Sequence, residues 1–211
     1  MAVIGQSKRG AGIVSGYDED LQAVMTPICL ADRTSRNRLI CSPISTNSST
    51  DDGEVTPSTI DFYATMGRAG CGMVTVGAAA VSPEGISTRN CMRVGPKRYE
   101  QGLRKLAATI RATGAISSLQ IFHVGAQGNT EYTDQPVLGP SPYVCPDIGI
   151  RAVEQTVSQI EAIEEDFVTA ILSALHCGFD FVELHLAHGY LLHEFLSPYF
   201  LLFCFSFTAL I

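Results

Sequence analysis

Apolar strand-like runs alternate with helix-like segments along this chain, and that alternation constrains its fold more than any other feature. The run Met73–Ala79 is apolar without a period of two, which is typical of a parallel strand that is covered on both faces. The helix-like segment 96–113 follows it, and a further strand is predicted over Ile116–Phe122. The pattern predicts an α/β fold with parallel strands.

Four βα units account for most of the pattern. The first strand is predicted over Arg38–Ser42, where Pro43 stops it, and the first helix over residues 56–69. The last helix begins at the capping box formed by Thr156 and Gln159 and ends before Gly178. Its apolar residues recur at helical spacing: Ile160, Ile163, Phe167, Ile171 and Ala174.

The fourth strand ends on two histidines and a tyrosine. Strand residues two apart share a face, so Glu183 and His185 point one way, whereas Val182 and Leu184 point towards covering helices. His185 then stands at the carboxyl end of the strand, where barrel enzymes place their active sites. His188 and Tyr190 follow within five residues of His185. Two imidazoles that bind an oxygen and a phenol that supplies a proton would form a catalytic cluster.

The continuation of this strand resembles a known family. The pattern His-x-Ala-His-Gly-Tyr-Leu-Leu-His-Glu-Phe-Leu-Ser-Pro, which spans His185 to Pro198, closely resembles the Old Yellow Enzyme family of flavin-dependent ene-reductases. The resemblance runs from about Pro27 to Pro198. It implies one half of a TIM (β/α)8 barrel, because the family continues after this Ser-Pro element with four more βα units, whereas here the apolar residues 199–211 follow. A whole barrel of this type needs about 250 residues, and this chain has 211.

The resemblance also implies a cofactor, FMN, and the residues that hold it. Ser45 would lie beside the flavin, small alanines after the second strand would let the ring approach the backbone, and the Gln120 amide would bond to its pyrimidine edge. Asn47 stands where the family often has a substrate-positioning tyrosine. The implied cofactor-binding set is Pro43, Ile44, Ser45, Ala78, Ala79, Gln120 and His185.

The chemistry that the resemblance implies is a flavin relay. NAD(P)H reduces the FMN, and an enone or enal then takes its place. His185, His188 and Asn47 would contact that substrate, with the two histidines on its carbonyl oxygen. Tyr190 would protonate the carbon next to the carbonyl group after hydride has reached the far carbon of the alkene.

Composition narrows the class of partner. The net charge is −7 and no block of basic residues is present, which argues against nucleic acid and anionic membranes as partners. Seven cysteines are scattered without a Cys-x-x-Cys pair, so they indicate reduced thiols in the cytoplasm. The first 20 residues hold no long apolar run of the secretory type.

Other interpretations of the same residues stay open. His185 and His188 are potential metal ligands, with Glu183 as a third, although the Gly-Tyr continuation fits the flavin family better. Without a metal, Glu183 is a carboxylate inside the barrel that needs a positive partner. Gln120 and Ser45 are ordinary polar residues if the family is set aside. The segment 123–155 is either a lid or a connection. No role is assigned to the remaining histidines, which are His123, His176 and His193.

The domain organisation is expected to be a leader over residues 1–24, a partial barrel over 25–198 and a hydrophobic tail over 199–211. The tail is either a foreign ending after the fourth strand or a genuine cap. A half barrel lacks the phosphate site built after strands seven and eight, so activity is expected only with a complementing chain or by self-association. The alternative is a non-catalytic remnant, or a half-barrel that binds small molecules without flavin.

Overall fold

A four-stranded parallel sheet forms the centre of the computed structural model, which describes residues 21–200. An antiparallel pair, β1 (Ile28–Leu30) and β2 (Arg33–Ser35), precedes it. The sheet consists of β3 (Ile40–Cys41), β4 (Met73–Ala80), β5 (Ile116–Phe122) and the last strand, Phe181–Leu184. These strands lie side by side in chain order, and every neighbouring pair is parallel.

Helices connect the strands, as parallel pairing requires. The helices between strands are α1 (Pro57–Arg68), α2 (Glu100–Ala112), the short α3 (Thr130–Thr133) and α4 (Val157–His176), and α5 (Leu191–Leu196) follows the last strand. Residues 21–25, before the first strand, are helical as well. Single 3-10 turns cover Lys97–Tyr99 and Gly125–Gln127. A small parallel pair, β6 (Leu138–Gly139) and β7 (Val153–Glu154), lies before α4, and the strand Phe181–Leu184 is β8.

This arrangement confirms the predicted α/β half barrel. The strand at Ile116–Phe122 has the predicted bounds, and Thr156 caps α4 through the predicted capping box with Gln159. The helix predicted over 96–113 is instead a 3-10 turn followed by α2. Most of the predicted leader and tail lie outside the described residues.

The first strand is shorter than the predicted Arg38–Ser42. The N–H of Arg38 donates to Val24, and the N–H of Leu39 donates to the Asn37 side chain. Of the residues predicted for this strand, only Ile40 and Cys41 form the ladder with β4. These local hydrogen bonds compete with the sheet for the same backbone groups.

The sheet separates two apolar clusters. The larger one lies between the sheet and the helices, and alternate residues of β4 and β5 enter it, among them Val76, Leu119 and Ile121. The smaller one lies on the opposite face and includes Ala78, Ala80 and Phe122. β4 is buried along nearly its whole length, as the absence of alternation predicted.

The edge strand β8 departs from one expectation. Val182 packs against the larger cluster as predicted, but Leu184 is 43% exposed rather than covered by a helix. β8 pairs only with β5 in this sheet, so the end of the strand lies at an open edge. No helix within residues 21–200 is long and apolar enough to cross a membrane.

Candidate active site

One cavity of about 380 Å³ opens at the carboxyl ends of β4, β5 and β8. This is the end of a barrel sheet at which active sites are built. Its lining combines apolar, amide, carboxyl and imidazole groups: Pro43, Ser45, Ala78, Gln120, Phe122, Glu183, Leu184, His185, Leu186, Ala187, His188 and Tyr190. Seven of these residues belong to the site predicted from the sequence.

The three predicted catalytic rings meet in this cavity. The ring centroids of His185 and His188 are 5.0 Å apart, and those of His185 and Tyr190 are 4.8 Å apart. Phe122, the last residue of β5, contacts Tyr190 with a centroid separation of 5.2 Å. The two pairs that include His185 cross at 75° and 65°, so in each pair the edge of one ring is turned towards the face of the other.

A strained turn brings His188 to this position. His188 has a φ of 61° and Gly189 a φ of 74°, and a left-handed backbone is costly for a residue other than glycine. The Gln127 amide holds the turn by donating to the carbonyl oxygens of His188 and Gly189, at 2.6 and 2.9 Å. The N–H of Gly189 donates to Nδ1 of His193 at 2.9 Å.

The protonation of His185 follows from its backbone contacts. Its Nδ1 accepts a hydrogen bond from the N–H of Ala187 at 3.3 Å, so the neutral ring carries its proton on Nε2. Burial, and then the nearby His188, lower the pKa of His185, and Glu183 partly opposes this effect. His185 is therefore a neutral ring that offers one N–H donor.

Tyr190 is poised as an acid rather than as a base. Burial, with a smaller electrostatic effect of Cys91, raises the pKa of Tyr190 above its usual value. The residue caps the N-terminus of α5, and its N–H donates to the carbonyl of Ala187 at 3.3 Å. Its hydroxyl proton is therefore retained near neutral pH and is available for transfer.

The loop after β3 forms the opposite wall. Ser45 bridges to Gly77 of β4, and a Cβ on Gly77 would lie 2.2 Å from Cβ of Pro43. The buried hydroxyl of Tyr63 donates to the Ile44 carbonyl at 2.5 Å and accepts from the N–H of Gly77 at 3.1 Å. Burial raises the pKa of Tyr63 to about 12. Tyr63 therefore joins this loop to the sheet.

The predicted amide on β5 has a protein partner. Nε2 of Gln120 donates to Oε1 of Glu183 at 2.5 Å across the β5–β8 pair. Glu183 was expected to need a positive partner, but its partner is this neutral amide. The carbonyl oxygen and the second N–H of Gln120 stay available to a ligand.

Three predicted residues are not among those that line the cavity. Ala79 is fully buried in the cluster on the helix side of the sheet, because the register of β4 against β5 shifts between Val76 and Ala79. Ile44 is 45% exposed. The side-chain oxygen of Asn47 accepts from the Thr88 hydroxyl at 2.6 Å, which directs it to a neighbouring loop.

Sequence reasoning overlooked several residues of the site. Phe122, Leu186 and Ala187 line the cavity but are too common in strands and turns to attract attention. His193 was given no role, yet it holds Gly189 as described above. Gln127 is 61 residues away from His188 in the sequence, and no local pattern marks their contact.

The segment 123–155 contains a small cluster of its own, formed by Ala126, Val137 and Ala152. Tyr132 of this segment packs against the smaller apolar cluster, as Tyr190 does. Within residues 21–200, no group of three or more His, Cys, Asp and Glu side chains is arranged to hold a metal ion.

Comparisons of sequence agree with this geometry. Residues 23–201 match the NADH:flavin oxidoreductase / NADH oxidase family. The chain is 37% identical to an NADH oxidase of Thermoanaerobacter brockii over 77% of this chain and 25% of that protein. It is 31% identical to an NADPH dehydrogenase of Bacillus subtilis (strain 168) over 83% of this chain and 51% of that protein. The chain thus spans about half of the latter relative and a quarter of the former.

Solved structures show the same fold. An Old Yellow Enzyme from Pichia sp. AKU4542 superposes with a TM-score of 0.77 and 26% identity, over 84% of this chain and 49% of that one. A 2-naphthoyl-CoA reductase superposes with a TM-score of 0.82 and 23% identity, over 85% of this chain and 29% of that one. These proteins share the partial barrel, and the family match covers most of the sequence. The chain belongs to the NADH:flavin oxidoreductase / NADH oxidase family.

Proposed function

We propose that this chain carries the substrate-facing half of an FMN-dependent ene-reductase. Such an enzyme takes hydride from NAD(P)H and delivers it to the alkene of an α,β-unsaturated carbonyl compound. The observation that carries the proposal is the convergence of His185, His188 and Tyr190 on one cavity. Two relatives named NADH oxidase and NADPH dehydrogenase support a nicotinamide reductant.

The cavity wall is compatible with a planar flavin ring. Ser45 and Ala78 have small side chains, and Gln120 offers an acceptor and a donor. Pro43 lies on the same wall, and Ile44, in the same loop, would contact the ring from the exposed side. When bound, FMN supplies a hydride donor that NAD(P)H regenerates. Ser45 would modulate it through its hydroxyl group.

The histidine pair would polarise the carbonyl group of the substrate. The Nε2–H of His185 and an N–H of His188 would both donate to the carbonyl oxygen of an enone or enal, which would draw electron density from the alkene. A single preorganised donor of this kind is worth roughly 3 kcal/mol of barrier. His185 keeps this donor because its other nitrogen is occupied by Ala187.

Tyr190 would complete the reaction. Hydride adds at the carbon distant from the carbonyl group, and the O–H of Tyr190 gives its proton to the carbon next to it. The C=C bond becomes a C–C single bond with one new C–H bond at each end. The raised pKa of Tyr190 keeps the proton in place until the substrate carbon becomes basic.

Binding of FMN to this chain should be weak. Barrels of this type hold a phosphate group with the loops after strands seven and eight, whereas the sheet within residues 21–200 has four strands. The residues assigned above contact the ring and not the phosphate. Six unpaired cysteines within residues 21–200 support a reducing compartment, for which we propose the cytoplasm.

A second copy of this chain would complete the barrel. β3 and β8 occupy the two edges of the sheet, and Ile40 and Leu184 are 56% and 43% exposed there. Unpaired edge strands favour pairing with another chain. Light scattering should detect this association. Ile40→Lys or Leu184→Lys should weaken it more than the control Val157→Lys, because Val157 is exposed on α4, away from the sheet edges.

Turnover with added FMN tests the proposed function. The 211-residue chain, supplied with excess FMN, NADPH or NADH and 2-cyclohexenone, should consume the conjugated alkene. Tyr190→Phe should slow product formation by roughly 10²-fold or more, the usual contribution of a general acid. Tyr132→Phe is the matched control, because Tyr132 packs against the same cluster.

Equal rates for the two tyrosine variants would remove Tyr190 from the proton transfer. A chain that neither consumes NAD(P)H nor develops flavin absorbance with excess FMN would contradict the proposal. That outcome would favour a non-catalytic half-barrel that binds small molecules without flavin.

A further inference from the structure

We propose that Glu194 is a positioning residue for the catalytic His188 and that it acts through the Gly125–Gln127 turn. Glu194 lies in α5 and lines no part of the cavity. It connects to the cavity through two successive contacts, first to the backbone of that turn and then from Gln127 to the carbonyl oxygens of the His188–Gly189 turn.

The first contact is a carboxyl group buried against the turn. Glu194 is fully buried, and its Oε1 accepts a hydrogen bond from the N–H of Ala126 at 2.8 Å. A Cβ on Gly125 would lie 2.5 and 2.6 Å from the two carboxyl oxygens. Gly125 has a φ of 63°, a conformation that glycine adopts without strain. Its lack of a side chain leaves room for the carboxyl group.

The second contact reaches the site. Gln127 ends the turn, and its amide donates to the carbonyl oxygens of both His188 and Gly189. His188 is left-handed, a conformation that persists only where surrounding contacts determine it. If Ala126 shifted, Gln127 would shift with it, and the His188–Gly189 turn would lose both hydrogen bonds from the Gln127 amide.

Glu194 is also tied to Tyr190 through the helix. The N–H of Glu194 donates to the carbonyl of Tyr190 at 2.9 Å. Glu194 thus lies one helical turn beyond Tyr190 and is bonded at its other end to the loop that holds His188. Glu194 therefore fixes the position of the Gly125–Gln127 turn, which holds His188, relative to α5, which begins at Tyr190.

The surroundings of Glu194 favour a neutral, protonated carboxyl group. Its Oε2 is buried without a hydrogen-bond partner within residues 21–200, and an ionised oxygen in that position would be costly. Burial raises the pKa of Glu194 to about 8, against the weaker opposing effect of the Ala126 N–H. A glutamine, which is neutral and of the same shape, should therefore replace it.

The role of the positioned residue rests on the proposed function, but the geometry can be tested without turnover. The full chain labelled with ¹⁵N-histidine reports the ring of His188 directly by NMR. The variants are Glu194→Gln, Glu194→Leu, Gln127→Leu and the double variant that combines the two leucines. Neither flavin nor substrate is added, so failure here is distinguishable from failure of the proposed activity.

Glu194→Gln should leave the His188 ring resonances at their wild-type positions. Glu194→Leu and Gln127→Leu should each displace and broaden them, and the double variant should resemble the single variants because all break one connection. Leucine is similar in size to glutamate. If Glu194 acted only by packing, Glu194→Leu would therefore leave the His188 resonances unchanged, as Glu194→Gln does.

The proposal is overturned if Glu194→Leu leaves the His188 resonances unchanged or if Glu194→Gln disturbs them as strongly as leucine does. If Glu194→Leu does not fold, Gly139→Ala replaces it, because the added methyl group would lie 3.1 Å from Cβ of Ala126 and 3.4 Å from Oε2 of Glu194. A displaced His188 resonance in that variant supports the proposal, and an unchanged one overturns it.

Discussion

Nδ1 of His185 accepts a hydrogen bond from the backbone N–H of Ala187, two residues along the chain. This bond leaves the proton of the neutral ring on Nε2. A second proton on Nδ1 would face another donor, so protonation of the ring would break the bond. The orientation of one peptide group thus decides which nitrogen of His185 donates to a ligand in the cavity.

The first prediction concerns the titration of His185. Because burial lowers its pKa, the midpoint measured by ¹⁵N NMR should fall below 6.5, the usual value for histidine. The folded pKa is depressed, so the stability contributed by this group is complete above pH 6.5 and is lost as the pH falls through the folded pKa. A midpoint above 6.5 would contradict a ring that burial keeps neutral.

The second prediction compares the cost of backbone strain with the cost of losing the Gln127 contact at the His188–Gly189 turn. Gly189 and Gly149 both have a φ of 74°, but a Cβ at Gly189 would lie 2.5 Å from Nε2 of Gln127, whereas nothing lies within 4 Å of one at Gly149. Gly149→Ala should cost about 1–2 kcal/mol from backbone strain. Gly189→Ala should cost about 1–3 kcal/mol more, because Gln127 must give up its hydrogen bonds. Equal losses in urea unfolding would mean that Gln127 does not hold the turn.

The third prediction concerns Tyr63. Tyr63→Phe removes a hydroxyl that serves Ile44 and Gly77, and the buried backbone groups left behind should cost about 1–3 kcal/mol. The variant should also weaken FMN binding, since Ser45 lies on the loop that Tyr63 holds. Tyr99→Phe is the control, because Tyr99 is also buried but its hydroxyl hydrogen-bonds to the side chain of Arg98 and to no backbone group among residues 21–200. If both variants bind FMN as the wild type does, the loop is held by other contacts.

The fourth prediction is a loss of stability between pH 4.5 and pH 8 that depends on Glu194. Its folded pKa is about 8, against an ordinary value of 4.5. A raised folded pKa means that the contribution is complete below pH 4.5 and is lost as the pH rises through 8. Glu194→Gln should remove this slope and raise the free energy of unfolding above pH 8 by up to a few kcal/mol. A slope that persists in the glutamine variant would assign it to another group.

The sequence predicted most of the fold because the decisive signals are local. The capping box at Thr156 and the unbroken apolar run at Met73 each depend on neighbouring residues. The same holds for the cluster of rings, since His185, His188 and Tyr190 lie within one strand end and its turn. Spacing along the chain is then enough to bring their side chains together.

Other features depend on contacts between distant segments, which a single sequence does not reveal. The register shift in β4 directs Ala78 to the cavity and Ala79 to the core, and nothing in the run of alanines distinguishes them. Gln127 and Glu194 act across more than 60 residues. Gly125 has a left-handed backbone at this contact, but a glycine in a loop does not by itself indicate a buried carboxyl group.

Titration with FMN, followed by quenching of flavin fluorescence, tests the central claim most directly. The wild-type chain should bind FMN weakly, and His185→Ala should lower its affinity by roughly tenfold or more, which is about 1.4 kcal/mol. His176→Ala is the matched control, because His176 is exposed at the end of α4. His176→Ala should leave the affinity for FMN unchanged. Equal effects of the two substitutions would contradict the assignment of this cavity to the flavin.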